Sequence, residues 1–134
     1  MIKVGEKLPS AKLFKLGEKG IDGINSSEYF ANKKIVLVSV PSAFSTTCSI
    51  QLPGYIESSE EILSKGIDEI ICLAVNNAFI MKAWERELSA SDKVTFLSDG
   101  NGEFSKAMGL SADASQIGFG AVSYTHLTLP TRLL

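Results

Sequence analysis

The sequence predicts an α/β domain with a central, mostly parallel sheet flanked by helices and an N-terminal β-hairpin. Three observations carry this. Residues 35–40 and 70–75 are apolar almost without interruption rather than alternately, the mark of strands covered on both faces. Each is followed by a segment with apolar residues at helical spacing, so strands and helices alternate, and right-handed crossovers then make neighbouring strands parallel. Ahead of this alternation, Gly17, Gly20 and Gly23 break residues 13–24 into short extended pieces joined by tight turns.

Each element has its own signal. Residues 13–24 read as a hairpin, and Ser26 or Ser27 caps a short helix through Phe30. Lys33 and Lys34 lead into the β-branched run 35–40, which Pro41 stops. After Cys48, Leu52, Tyr55, Ile56, Ser59, Ile62 and Leu63 recur at helical spacing, with Glu57, Glu60, Glu61 and Lys65 mostly on the other side. One amphipathic helix ending at Gly66 is expected there. Strand 70–75 precedes Asn76 or Asn77, either of which caps a helix through Leu88, and residues 94–97 form a third strand. The turn Asp99-Gly100-Asn101-Gly102 opens a small helix over 103–108, closed by Gly109. With two glycines and no following Lys-Ser or Lys-Thr, it reads as a capped turn rather than a phosphate cradle.

At 134 residues the chain fits one domain, and 45% apolar with 21% charged residues excludes wholesale disorder or a fibrous repeat. Thirteen Lys and Arg against fifteen Asp and Glu give a net charge of −2, which offers no general attraction to nucleic acid or anionic lipid, and neither is expected as a partner. The 35–40 run is far short of the roughly 20 residues of a membrane span, and the N-terminus shows no secretory-signal pattern. Cys48 and Cys72 lack metal-type spacing and a disulfide framework, so a cytoplasmic location is expected, with no metal. Composition changes near residue 121. All fifteen acids lie within 1–121, whereas 122–134 has none and one basic residue, Arg132. The expected organisation is one domain over 1–121 followed by an atypical tail, 122–134, of foreign character. Tyr124, Leu127 and Leu129, interspersed with threonines, equally suit a final strand on a sheet edge.

Chemistry concentrates at Cys48. It follows a strand, Pro41 and the hydroxyl run Ser45-Thr46-Thr47, and it precedes the amphipathic helix, in or just before a first helical turn. Free N–H groups and the positive dipole end of a helix favour a thiolate there. A small apolar filler is the alternative use of such a cysteine, against which the polar run argues. Cys72, between Ile71 and Leu73 in an apolar strand, reads as inert packing. His126 stands alone, and Glu57, Glu60 and Glu61 form a solvated helix face. Phe79, Ile80, Met81 and Trp84 place apolar groups on more than one side of their helix, mostly for the core.

The segment Pro41-Ser42-Ala43-Phe44-Ser45-Thr46-Thr47-Cys48-Ser49 resembles the active-site motif of peroxiredoxins: proline, three residues, Thr or Ser, two residues, then the peroxidatic cysteine. Leu52-Pro53-Gly54-Tyr55, the 75–84 block and the 98–110 block resemble the atypical branch reduced by glutaredoxin or glutathione, and the likeness covers about residues 2–121. It implies a thioredoxin-like fold and a cofactor-free thiol peroxidase acting on hydrogen peroxide and small alkyl hydroperoxides. Cys48 would be the nucleophile, Ser45 would hold peroxide and thiolate through its hydroxyl, and Pro41 would shield the pocket. From the residues alone, Ser45 equally suits a local turn contact and Pro41 a strand stop. Glutathione with glutaredoxin, or thioredoxin, would be the external reductant, and a homodimer contact on the 79–84 helix is implied.

The chain departs from the family at two places. Between the cysteine and Leu52 the family has one residue more and a histidine beside the leucine, where this chain has Gln51. Val122 stands where an arginine that orients peroxide is expected, and the family continues with further strands and a closing helix, so the sequence reads as truncated. A weak or inactive thioredoxin-like binding module is therefore the rival expectation. A thiol-disulfide oxidoreductase ranks below both, for want of a Cys-x-x-Cys pair.

Overall fold

Strands β1 (Lys12–Gly17) and β2 (Gly20–Asn25) pair antiparallel from Lys12 opposite Asn25 to Gly17 opposite Gly20, the hairpin expected from the glycine spacing. The computed structural model describes residues 6–128. Helix α1 (Ser26–Tyr29) starts at once, and its cap is Asn25 rather than either serine: Asn25 Oδ1 accepts the Ser27 N–H at 3.0 Å. Ser26 is buried instead, accepting the Ala11 N–H at 2.8 Å and donating to the Pro9 carbonyl at 2.6 Å.

Strands β3 (Ile35–Ser39), β4 (Glu69–Ala74) and β5 (Thr95–Ser98) form the parallel centre, β4 lying between the other two. The edges are antiparallel: β1 joins β5 at Phe14 opposite Ser98, and β8 (His126–Thr128) joins β3 with Ser39 opposite His126. The sheet, in the order β2-β1-β5-β4-β3-β8, is thus mixed as a whole and parallel at its centre. A second, two-stranded sheet pairs β6 (Ser111–Asp113) with β7 (Ala121–Ser123). The segment beyond residue 121 therefore contributes strands, as its Tyr, Leu and Thr content allows, while Leu129 and Arg132 lie outside the described residues.

Both faces of the central strands are covered, as the continuous apolar runs require. On one face Val36, Val38, Ile70, Cys72, Ala74 and Phe96 pack with Cys48, Leu52 and Ile56 of α2 (Thr46–Glu57) and Met81 and Trp84 of α4 (Ala78–Glu87). On the other, Ile35, Leu37, Ile71, Leu73 and Leu97 meet Leu13, Phe30 and Phe104, the last on α5 (Glu103–Ala107). Full burial of each larger apolar side chain contributes about 1.5–3 kcal/mol.

The single helix expected up to Gly66 is two, α2 and α3 (Ser59–Ser64), divided at Ser58. The Ser58-Ser59 pair is a usual place for a helix to kink, and Ser59 is buried there. Among the described residues no helix is long and apolar enough to cross a membrane.

Candidate active site

The site grows from the C-terminal ends of the parallel strands. Val40 extends the β3–β4 pairing by one bond, its N–H donating to the Leu73 carbonyl at 3.0 Å. Pro41 follows without an N–H and ends the ladder, which is the strand-stopping role open to it from the sequence. The chain then turns through residues 42–45 into α2. Ser45 occupies the N-cap position, with extended backbone, but makes no side-chain cap bond. Its hydroxyl donates to the Ser42 carbonyl at 2.9 Å, the local turn contact, and its lone pairs remain as acceptors.

Cys48 is the third residue of α2, inside the first turn rather than just before it. It shares one helix face with Leu52 and Ile56 at four-residue intervals, so the thiol is directed to the core and is 1% exposed. Cys72 lies in the same apolar cluster on β4, and both are free cysteines. Burial pushes the Cys72 thiol well up, and the proximity of Cys48 acts in the same direction. This matches its reading as an inert side chain.

One position carries more of the site than the sequence suggested. Asn77 caps α4, its Oδ1 accepting the Ile80 N–H at 3.0 Å, which frees the neighbouring Asn76 for another task. Asn76 Oδ1 accepts the Ala43 N–H at 2.9 Å and ties the loop before Cys48 to the end of β4. The doubled asparagine was the available signal, since a helix needs one cap. Asp99 is fully buried, and its carboxylate accepts the N–H groups of Phe104 and Ser105 at 3.0 and 2.8 Å, the capped turn the sequence indicated. Burial pushes its carboxyl up, and those hydrogen bonds work against the rise.

Val122, on β7, pairs with Ala112 of β6 and is buried, so an apolar side chain fills the place where the family's arginine was sought. His126 lines an open groove of about 320 Å³ between α2 and β8 with Val38, Gln51, Tyr55, Thr125 and Leu127. Phe44, Phe79 and Ile80 leave apolar surface exposed on the active-site loop and α4.

A family model described as Redoxin matches residues 3–128. Peroxiredoxin-2C from Oryza sativa subsp. japonica is 40% identical over 134 residues, covering 98% of this chain and 83% of that protein. The chain belongs to the peroxiredoxins. Peroxiredoxin-2E, chloroplastic, from Arabidopsis thaliana is 41% identical over 133 residues, 96% of this chain; the chain spans 57% of that relative's length. Reduced Prx3 from Vibrio vulnificus in complex with H2O2 superimposes with a TM-score of 0.91 at 40% identity, covering 96% of this chain and 81% of that one. The architecture is the thioredoxin-like peroxiredoxin fold with its N-terminal hairpin, and the family likeness supports a thiol-dependent peroxidase.

Proposed function

We propose that this peroxiredoxin reduces hydrogen peroxide and small alkyl hydroperoxides through Cys48, at the expense of an external thiol. The observation that carries the reading is the placement of Cys48 in the first turn of α2, against a loop of hydroxyl and amide groups at the sheet's C-terminal end. The thiolate attacks the distal peroxide oxygen. The O–O bond breaks, the leaving oxygen departs with a proton as water or alcohol, and Cys48 becomes a sulfenic acid. Two equivalents of thiol then return it to the thiol, with water and a disulfide as products. Ser45 accepts from the peroxide hydroxyl while its own O–H goes on donating to the Ser42 carbonyl, and Pro41 keeps water from the pocket.

The burial of Cys72 supports an outside reductant, glutathione with glutaredoxin or else thioredoxin, because a thiol held protonated on a central strand is a poor resolving group. Two free cysteines suit a reducing compartment such as the cytoplasm. The exposed rings of Phe44 and Phe79 beside the site suit a homodimer contact. Val122 favours a second reading, a slow peroxidase or binding module that has no cation at the position where the resemblance places an arginine.

Two separate samples test the proposal, one by limited alkylation near pH 6 with peptide mapping, the other by one equivalent of peroxide followed by mass spectrometry without reductant. Preferential labelling of Cys48 and accumulation of its sulfenic acid are expected. Preferential labelling of Cys72, or rapid and complete formation of a Cys48–Cys72 disulfide, would contradict it.

A further inference from the structure

The turn that precedes α2 holds a backbone conformation its sequence does not favour. The Ser45 N–H donates to the Ser42 carbonyl at 3.4 Å, closing a turn whose third residue, Phe44, has φ of 63°. That is the position of a type II turn where glycine is usual, because a Cβ crowds the backbone in the left-handed region. Phenylalanine stays there only where its surroundings over-determine it. Here the Asn76 amide oxygen holds the Ala43 N–H at 2.9 Å, and the Phe44 ring lies 6.3 Å from the fully buried Trp84. Asn76 is itself anchored from β5: its carbonyl accepts from Ser98 Oγ, which also takes the Gly100 N–H at 3.1 Å. A Cβ on Gly100 would come within 3.2 Å of that hydroxyl, so a glycine fits this close approach.

We infer that Asn76 is a positioning residue for Cys48. Its amide oxygen holds the strained turn in place and, through the Ser45 carbonyl that accepts the Ser49 N–H at 2.9 Å, fixes the first turn of α2 where the thiol sits. The inference rests on Cys48 being the peroxide-reacting thiol. Attack on a peroxide held by the loop needs a fixed approach between sulfur and the bound O–O bond, whereas an alkylating reagent that the loop does not bind finds its own approach to the sulfur. Loss of the tether therefore affects the two reactions unequally.

The test uses the full 134-residue chain as wild type, Asn76→Ala, Phe44→Gly and the double variant, with hydrogen peroxide and iodoacetamide as probes of Cys48. Asn76→Ala is expected to slow oxidation by peroxide by about 10- to 100-fold, the scale of a small misplacement of reacting groups, while alkylation at the same pH stays near wild type. In the Phe44→Gly background the same substitution should cost less, since glycine holds the left-handed turn without the tether. Gly100→Ala presses on the Ser98–Asn76 link from the other side, should give the same split between probes, and stands in if Asn76→Ala does not fold. Wild-type peroxide rates in Asn76→Ala, a proportional fall in both reactions, or an equal cost in both backgrounds would each overturn the inference. Failure of wild-type Cys48 to react with peroxide faster than free cysteine would instead overturn the peroxidase reading, and this inference with it.

Discussion

The two ends of the parallel strands are held by different chemistry. Where the strands begin, Glu69 gathers three partners. The Tyr29 hydroxyl donates to its Oε2 at 2.7 Å, Thr95 Oγ1 donates to the same oxygen, and Lys33 Nζ lies 3.4 Å from Oε1 and 4.0 Å from the centroid of the Tyr29 ring. Asp68 beside it takes the Lys34 N–H at 2.7 Å. Where the strands finish, the groups that hold the loops are neutral, Ser42, Ser45, Asn76 and Ser98, and residues 40–52 contain no charged side chain. Buried Asp99 also lies at this end, with its carboxylate engaged by the N–H groups of α5. Fixed charge with standing partners locks one end of the sheet. The other end, where Cys48 lies buried in the first turn of α2, is otherwise held by neutral hydrogen-bonding groups.

The sharpest way to break this contrast is at the thiol. Cys48→Ser should abolish peroxide consumption, whereas Cys72→Val should keep most of it; the reverse pattern in a peroxide-consumption assay would move the reactive end elsewhere. Next in size is a cation introduced at residue 122, where the resemblance places an arginine. Val122→Arg is expected to raise the rate of Cys48 oxidation on the order of 100- to 1000-fold, about 3–4 kcal/mol of barrier, as for one preorganised donor at a developing charge. Stopped-flow rates for the two folded forms decide this, and equal rates would mean that the neutral end already suffices.

Glu69→Ala probes the opposite end. Leaving the Tyr29 and Thr95 hydroxyls without their acceptor should cost about 2–3 kcal/mol in urea unfolding, while the peroxide rate per folded molecule stays unchanged. The smallest effect, per unit of change, is one of pH. Burial raises the Cys72 thiol above its unfolded value, so the stability tied to its protonated form is full below about pH 8.5 and is lost as pH rises towards the folded value, at up to about 1.4 kcal/mol per unit. Burial and Glu69 raise Tyr29 as well, which adds a loss of the same sign above about pH 10. Unfolding free energies measured between pH 8 and 10.5 should flatten in Cys72→Val over the lower part of that range. Stability that rose with pH would contradict both assignments.

What the sequence disclosed follows from which forces are local. Hairpin, strands and the placement of Cys48 were readable because glycine spacing, continuous apolarity and helix-start chemistry act over a few residues. Strand limits moved by one where distant partners intervened: β4 starts at Glu69 because Tyr29 and Thr95 hold its side chain, and β5 ends at Ser98, where Asn76 receives its hydroxyl proton. The division at Ser58 and the capping of α1 by Asn25 turned on choices between neighbouring polar residues that propensity does not rank. Asn76 was hidden for a related reason, since both of its bonds reach residues 22 or more positions away.

The bond from Ser39 to His126 spans 87 residues, so β3 is made early and acquires its outer neighbour late. Loop closure over such a distance hardly alters equilibrium stability, because each doubling of length adds only about 0.6 kcal/mol, but pairing between remote segments slows folding. Until residues 126–128 have been synthesised and docked, a strand of Ile, Val and Leu presents an open row of N–H and C=O groups, to which the same strand of another copy can add. The interval on the ribosome between β3 and β8 is therefore when the nascent chain is most open to aggregation, and a slower passage through that interval lengthens the exposure.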